Sequence, residues 1–135
     1  MTLHSNLVEA ANRAEATALL IRYGYRVYRP EADVLGEDLI LRTPDNGLIV
    51  AQLKSRPFVN IKYFGQGIWM LFPNPGGNIP GRDWFLVEHD ALFKWWEKKH
   101  SATTAWKAGG WSTPGISNDL KEFLLPFALC PKRSE

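Results

Sequence analysis

The spacing of apolar positions changes several times along the chain, and each change marks an element. Across residues 5–23, SNLVEAANRAEATALLIRY, the residues Leu7, Ala11, Ala14, Ala18 and Ile21 recur at threes and fours. That spacing places them on one helical face. Alanine and leucine are strong helix formers. Ser5 or Asn6 suits the N-cap, and Gly24 suits the left-handed position that ends a helix. The period then shortens to two. Tyr25–Arg29, YRVYR, alternates and predicts a strand that Pro30 stops.

Two further strands follow, DLILR from Asp38 to Arg42 and LIVAQLK from Leu48 to Lys54. Between them lies TPDNG, whose Pro44, Asn46 and Gly47 are turn residues, so the pair predicts an antiparallel hairpin. With Thr43 opposite Leu48, Leu39 faces Gln52 and Asp38 faces Leu53. A shift of one residue changes the face that Asp38 occupies.

After Arg56 the pattern is harder to read. A short helix near 61–67 competes with two glycines, and PNPGGNIPG is a loop. Trp84–Glu88, WFLVE, predicts a fourth strand. Asp90 caps a helix, ALFKWWEKKH, with Leu92, Trp95, Trp96 and Lys99 on one side. A polar, glycine-rich stretch follows to Asn118. DLKEFLLPFAL then suggests an amphipathic helix broken near Pro126, and the tail PKRSE frays. The order predicts one α/β domain over 1–135, a mixed central sheet of about four strands flanked by helices.

Composition narrows the field. A chain of 135 residues can bury roughly two thirds of its unfolded surface. Sixteen basic and fourteen acidic residues give a net charge of +2, which permits a nucleic-acid partner without arguing for one. Cys130 is the lone cysteine, so no internal disulfide or cysteine metal cluster forms, and a reducing, cytoplasmic compartment fits. The start lacks a secretory pattern, and no run is long enough to span a membrane. The six tryptophans suit either a core or an interface.

The chemistry gathers at the hairpin. Gln52 and Lys54 stand two apart on one strand, and Asp38 opens its partner. A carboxylate, an amide oxygen and the Leu53 carbonyl are hard oxygen ligands, which suit Mg2+ or Mn2+. Lys54 is placed to hydrogen-bond a water or a phosphate oxygen. In an ordinary hairpin the same residues make a solvated face. The glycine loops lack the spacing or lysine that nucleotide-binding loops need.

Asp38, the turn TPDNG and Gln52-Leu53-Lys54 together resemble the PD-(D/E)XK nuclease superfamily. Those enzymes carry an acidic residue at a strand start, a short turn, and Glu-x-Lys on the next strand. The preceding helix with its glutamate, the GYRV segment and the first strand resemble small Holliday-junction resolvases, so the likeness covers 6–56. It implies a restriction-endonuclease-like core and a metal-dependent DNA endonuclease. It also implies a cation held by Asp38, Gln52 and the Leu53 carbonyl, with a helix carboxylate nearby. Glu15 is the preferred helix residue and Glu9 the alternative. Lys54 would orient a water that attacks phosphorus in line, leaving 5′-phosphate and 3′-hydroxyl ends. The chain departs from the pattern in carrying Gln-x-Lys. The missing charge weakens metal affinity unless another carboxylate compensates.

Basic residues interleaved with aromatics, chiefly Arg29, Arg56, Lys62 and Tyr63, form a candidate DNA-contacting rim. A duplex has two strands, so the resemblance also implies a homodimer. Two rival readings stand beside this one: a non-catalytic DNA-binding module on the same fold, and a structural subunit that uses its tryptophans at an interface.

Overall fold

The computed structural model describes residues 4–32, 36–75, 81–100, 106 and 109–130. The expected loops at 31–37 and 73–81 and the glycine-rich stretch at 101–118 lie partly outside these residues, and the tail at 131–135 lies wholly outside them.

Helix α1 spans Ser5–Arg22, and His4 is its N-cap, its ring accepting from Asn6 N. Gly24 follows with φ +95°, the left-handed conformation that the sequence requires there. The buried face is not the expected stripe. Asn12, Ala16 and Leu20 point inward, while Leu7 and Ile21 are 58% and 57% exposed. With alanines on every side of the helix, apolarity alone does not mark the inner face. The choice falls to the residues that fit closely against the sheet.

The sheet has five strands: β1 (Arg26–Tyr28), β2 (Leu39–Arg42), β3 (Leu48–Leu53), β5 (Ile68–Pro73) and β6 (Trp84–Glu88), in the order β1-β2-β3-β5-β6. The β3–β5 pair is parallel and the other neighbours are antiparallel. Helix α1 covers one face through Leu39, Leu41, Ala51, Leu71, Trp84 and Leu86. Helices α2 (His89–His100) and α3 (Asn118–Leu124) cover the other, against Met70, Phe72, Phe85 and Val87. The result is a three-layer α/β arrangement with a mixed sheet. A short second sheet pairs β4 (Phe58–Asn60) with β7 (Gly110–Ser112).

Central strand β5 was absent from the expected elements. Its residues IWMLFP are buried on both faces, so they show a continuous apolar run and not an alternation. Between β4 and β5 the expected short helix is a single 3-10 turn, η1 (Ile61–Tyr63). The last helix ends at Leu124, where a second 3-10 turn through Pro126 takes over. Leu129 N then donates to Trp84 O at 2.8 Å and covers the β6 edge. The tryptophans serve the core: Trp84, Trp96 and Trp106 are buried, and Trp69, Trp95 and Trp111 are half-buried against it.

The β2–β3 register differs by one residue from expectation. Leu39 pairs with Ala51, not Gln52. The turn accounts for the shift. Thr43 N bonds to Gly47 O and Asn46 N to Thr43 O, and Asn46 has φ 72°. Three residues, Pro44 to Asn46, therefore form the loop, a type I turn closed by a left-handed residue. At the other end of β2, Asp38 N also bonds to Ala51 O at 2.9 Å. Two successive residues thus face one, the arrangement of a β-bulge, which re-aims a side chain.

Candidate functional site

The bulge turns the Asp38 carboxylate onto the next strand. Its Oδ2 accepts from Leu53 N at 2.8 Å. Beside it, Gln52 and Lys54 reach the same opening, a cleft of ≈ 590 Å3 at the end of β3. The N-terminal half of α1 forms the opposite wall through Ser5, Val8, Glu9 and Asn12. Asp38, Gln52, Leu53 and Lys54 therefore share one cavity, despite the shifted register.

Gln52 is 5% exposed. Its Nε2 donates to Tyr63 Oη at 2.8 Å. Its Oε1 is buried and has no hydrogen-bond partner among the described residues. A buried amide oxygen without a partner is costly, and such atoms are uncommon in folded proteins. Gly36 closes over the same amide. A Cβ there would lie 2.5 Å from Gln52 Nε2 and 3.2 Å from Tyr63 Oη, and its φ is +84°. Both conditions favour glycine at this point. Gly36 stands two residues before Asp38, a local signal that the sequence held without revealing its use.

Lys54 follows the last residue of β3. Its N–H continues the ladder to Leu71 O at 2.9 Å, and its ammonium sits 4.5 Å from the Phe58 ring centroid. The aromatic face steadies the charge at the cleft.

The two helix glutamates divide. Glu9 lines the cleft and pairs with Arg13 at 3.1 Å, its side chain 65% exposed. Glu15 looks elsewhere. Arg82 Nε and Nη2 donate to its two oxygens at 2.9 and 3.0 Å, and Trp84 Nε1 also donates to it. Burial pushes the Glu15 carboxyl up. The Arg82 and Trp84 hydrogen bonds and the guanidinium charge outweigh that and hold it below the ordinary range. Arg82 also donates to Asn12 Oδ1 at 2.7 Å, which accounts for the burial of that asparagine. The expected place of Glu15 beside Asp38 gives way to this network, because position 15 lies nearer the start of β6 than the end of β3.

The expected rim is only partly at the surface. Arg29 and Arg56 are exposed, with Arg29 Nη2 donating to Thr17 Oγ1 at 3.3 Å. Lys62 is exposed, its ammonium 5.0 Å from the Tyr63 ring centroid. Tyr63 is 5% exposed and packs edge-on against His89, so it does not belong to a surface rim. The 3-10 turn points it inward, where its hydroxyl meets Gln52.

The residues present fit a hard divalent cation in part. Asp38 supplies a carboxylate, Gln52 an amide oxygen without a hydrogen-bond partner among the described residues, and Leu53 lines the same cleft. No group of three or more His, Cys, Asp or Glu side chains able to hold a metal occurs among the described residues. Among the described residues the donor set is therefore low in charge, with Glu9 as the other carboxylate lining the cleft.

No family model matches the chain, and no curated protein or solved structure gives a significant match. No helix among the described residues is long and apolar enough to cross a membrane.

Proposed function

We propose that the protein is a divalent-cation-dependent endonuclease that hydrolyses DNA phosphodiester bonds, with a restriction-endonuclease-like core. The observation that carries this reading is the cleft that brings Asp38, Gln52 and Lys54 together, with Gln52 Oε1 buried and without a hydrogen-bond partner among the described residues. The resemblance of the Asp38…Gln52-x-Lys54 pattern to PD-(D/E)XK nucleases supports it, as does the order of α1, β1, β2 and β3 before the cleft.

Asp38, Gln52 and the Leu53 carbonyl would hold Mg2+ or Mn2+, and Glu9 would add charge from the helix side. A cation there supplies neutralisation of phosphate charge and a lowered pKa for water. Lys54 donates a hydrogen bond to a phosphate oxygen and orients the water. Water adds to phosphorus, giving up a proton to solvent, as the bond to the 3′ oxygen breaks and that oxygen takes a proton from solvent, leaving 5′-phosphate and 3′-hydroxyl ends. Arg29, Arg56 and Lys62 contact phosphates and position the strand. A dimer of the chain would present one site to each strand of a duplex.

Plasmid, linear, single-stranded and branched DNA with Mg2+ or Mn2+ tests the reading. Cleavage that disappears in Asp38→Ala and Lys54→Ala supports it. Activity that persists in both variants overturns it. The glutamine in place of glutamate favours one other outcome, salt-dependent DNA binding with no cleavage, which would mark a non-catalytic module on this fold.

A further inference from the structure

We infer that Tyr63 is a positioning residue that holds the Gln52 amide in place at the cleft. The inference rests on the reading of that cleft as a cation site.

An amide side chain has two chemically opposite ends, a donor and an acceptor. Turned one way, Gln52 offers a cation an oxygen; turned the other way, it offers an NH2 that repels it. A tyrosine hydroxyl accepts or donates, and here it holds the nitrogen end from outside the strand. Tyr63 Oη takes the Nε2 hydrogen bond at 2.8 Å. Gly36 leaves room for the same nitrogen, where a Cβ would come within 2.5 Å. With Nε2 held on that side, Oε1 is the end without a hydrogen-bond partner among the described residues.

Tyr63 is itself held firmly. It is 5% exposed, its ring lies 5.7 Å edge-on from His89 and 6.4 Å from Phe58. Phe58 in turn carries the Lys54 ammonium. The segment from β4 to the 3-10 turn thus steadies both side chains, Lys54 through Phe58 and Gln52 through Tyr63.

The arrangement also gives a reason for glutamine in this strand. A glutamate 5% exposed would bury a second negative charge beside Asp38, at a high desolvation cost. The amide keeps an oxygen for the cation and uses its other end as an anchor. Support of a ligand by a residue that does not touch the metal is a general feature of metal sites.

Two measurements on the full chain test this. The first needs no metal. Gln52 and Gln66 are the two glutamines, and Gln66 is exposed. In 15N spectra of the metal-free protein, Tyr63→Phe is expected to move the Gln52 side-chain amide pair and speed its exchange, leaving Gln66 in place. An unmoved Gln52 pair overturns the inference at the level of the hydrogen bond.

The second is Mn2+ affinity by titration calorimetry, with thermal unfolding of every variant as a check that the fold is kept. Tyr63→Phe is expected to weaken Mn2+ about tenfold or more. Gln52→Ala weakens it at least as much. The double variant should match Gln52→Ala alone, because Tyr63 acts through Gln52. Wild-type affinity in Tyr63→Phe, or a further loss when it is added to Gln52→Ala, overturns the positioning role and leaves the cation site standing. No Mn2+ binding by the wild type, or binding that Asp38→Ala does not remove, overturns the site and the inference together.

Discussion

The carboxylate of Asp38 is bonded to the backbone N–H of Leu53, 2.8 Å away on the neighbouring strand. The bond fixes the acid by main chain, and main chain does not drift with side-chain rotamers. It also ties the head of β2 to the tail of β3, where Gln52 and Lys54 stand.

Replacing Asp38 therefore has two separable effects. Asp38→Ala leaves the Leu53 N–H in a half-buried place without its acceptor and is expected to cost about 1–3 kcal/mol in urea unfolding. Asp38→Asn keeps an oxygen for that N–H and should recover most of the stability. Both should lose Mn2+ binding, since the cleft loses its carboxylate next to Gln52.

Lys54 acts at the phosphate and not in the core. Lys54→Ala should lower cleavage by about 100-fold or more while DNA affinity changes by only a few fold. Its unfolding midpoint should move little, because the contact it loses is a half-exposed one with Phe58. Rates and filter-binding affinities measured side by side check the separation.

His89 sets a pH limit on the fold. It starts α2, is fully buried, accepts from Asn60 N at 3.1 Å through Nε2, and meets Asp90 through Nδ1 at 2.9 Å. The accepting Nε2 fixes a neutral ring with its proton on Nδ1. Burial lowers its pKa, and the Asp90 hydrogen bond and the Asp90 charge offset that in part. The folded value lies below the unfolded one, so the unfolded chain takes up the proton first as pH falls. Stability is full above the ordinary imidazole value near 6.5 and declines as pH drops below it towards the folded value. Urea unfolding from pH 8 to pH 5 should show this slope, and His89→Gln should flatten it.

Glu15 and Arg82 should matter for stability and not for cleavage. Arg82 has a side chain 8% exposed, while that of Glu15 is 40% exposed, so water screens part of the pair. Glu15→Ala is expected to cost about 1–2 kcal/mol, from the hydrogen bonds of Arg82 and Trp84. Mn2+ affinity and nuclease activity should stay within about twofold of wild type, since the lost bonds lie off the cleft. The same change at Glu9 should do the reverse, lowering affinity with little change in unfolding.

Much of the hairpin was readable in the sequence, because alternation and turn residues are local signals. The turn also set the limit. TPDNG announces a turn, but whether three or four residues form the loop depends on Asn46 adopting φ 72°. That one angle moved the register by a residue and brought Asp38 to its place through a bulge. The inner face of α1 was unreadable for a different reason: alanine carries too little apolar area to mark a side. Strand β5 hid in a run that a buried helix could equally show. The Gln52–Tyr63 bond joins residues eleven apart through a crossover with no repeating pattern, so nothing local foretold it.

The parallel β3–β5 pair also orders events in time. Asp38 and Leu53 meet within a hairpin, whose closure needs only a short loop. Gln52 gains its anchor only when the crossover through η1 folds back, and β3 gains its second neighbour only when β5 docks. Closing that longer segment costs more chain entropy and comes later. The acid is thus set by a local contact and the amide by a distant one, so the cleft is complete only when the crossover has closed it from its far side.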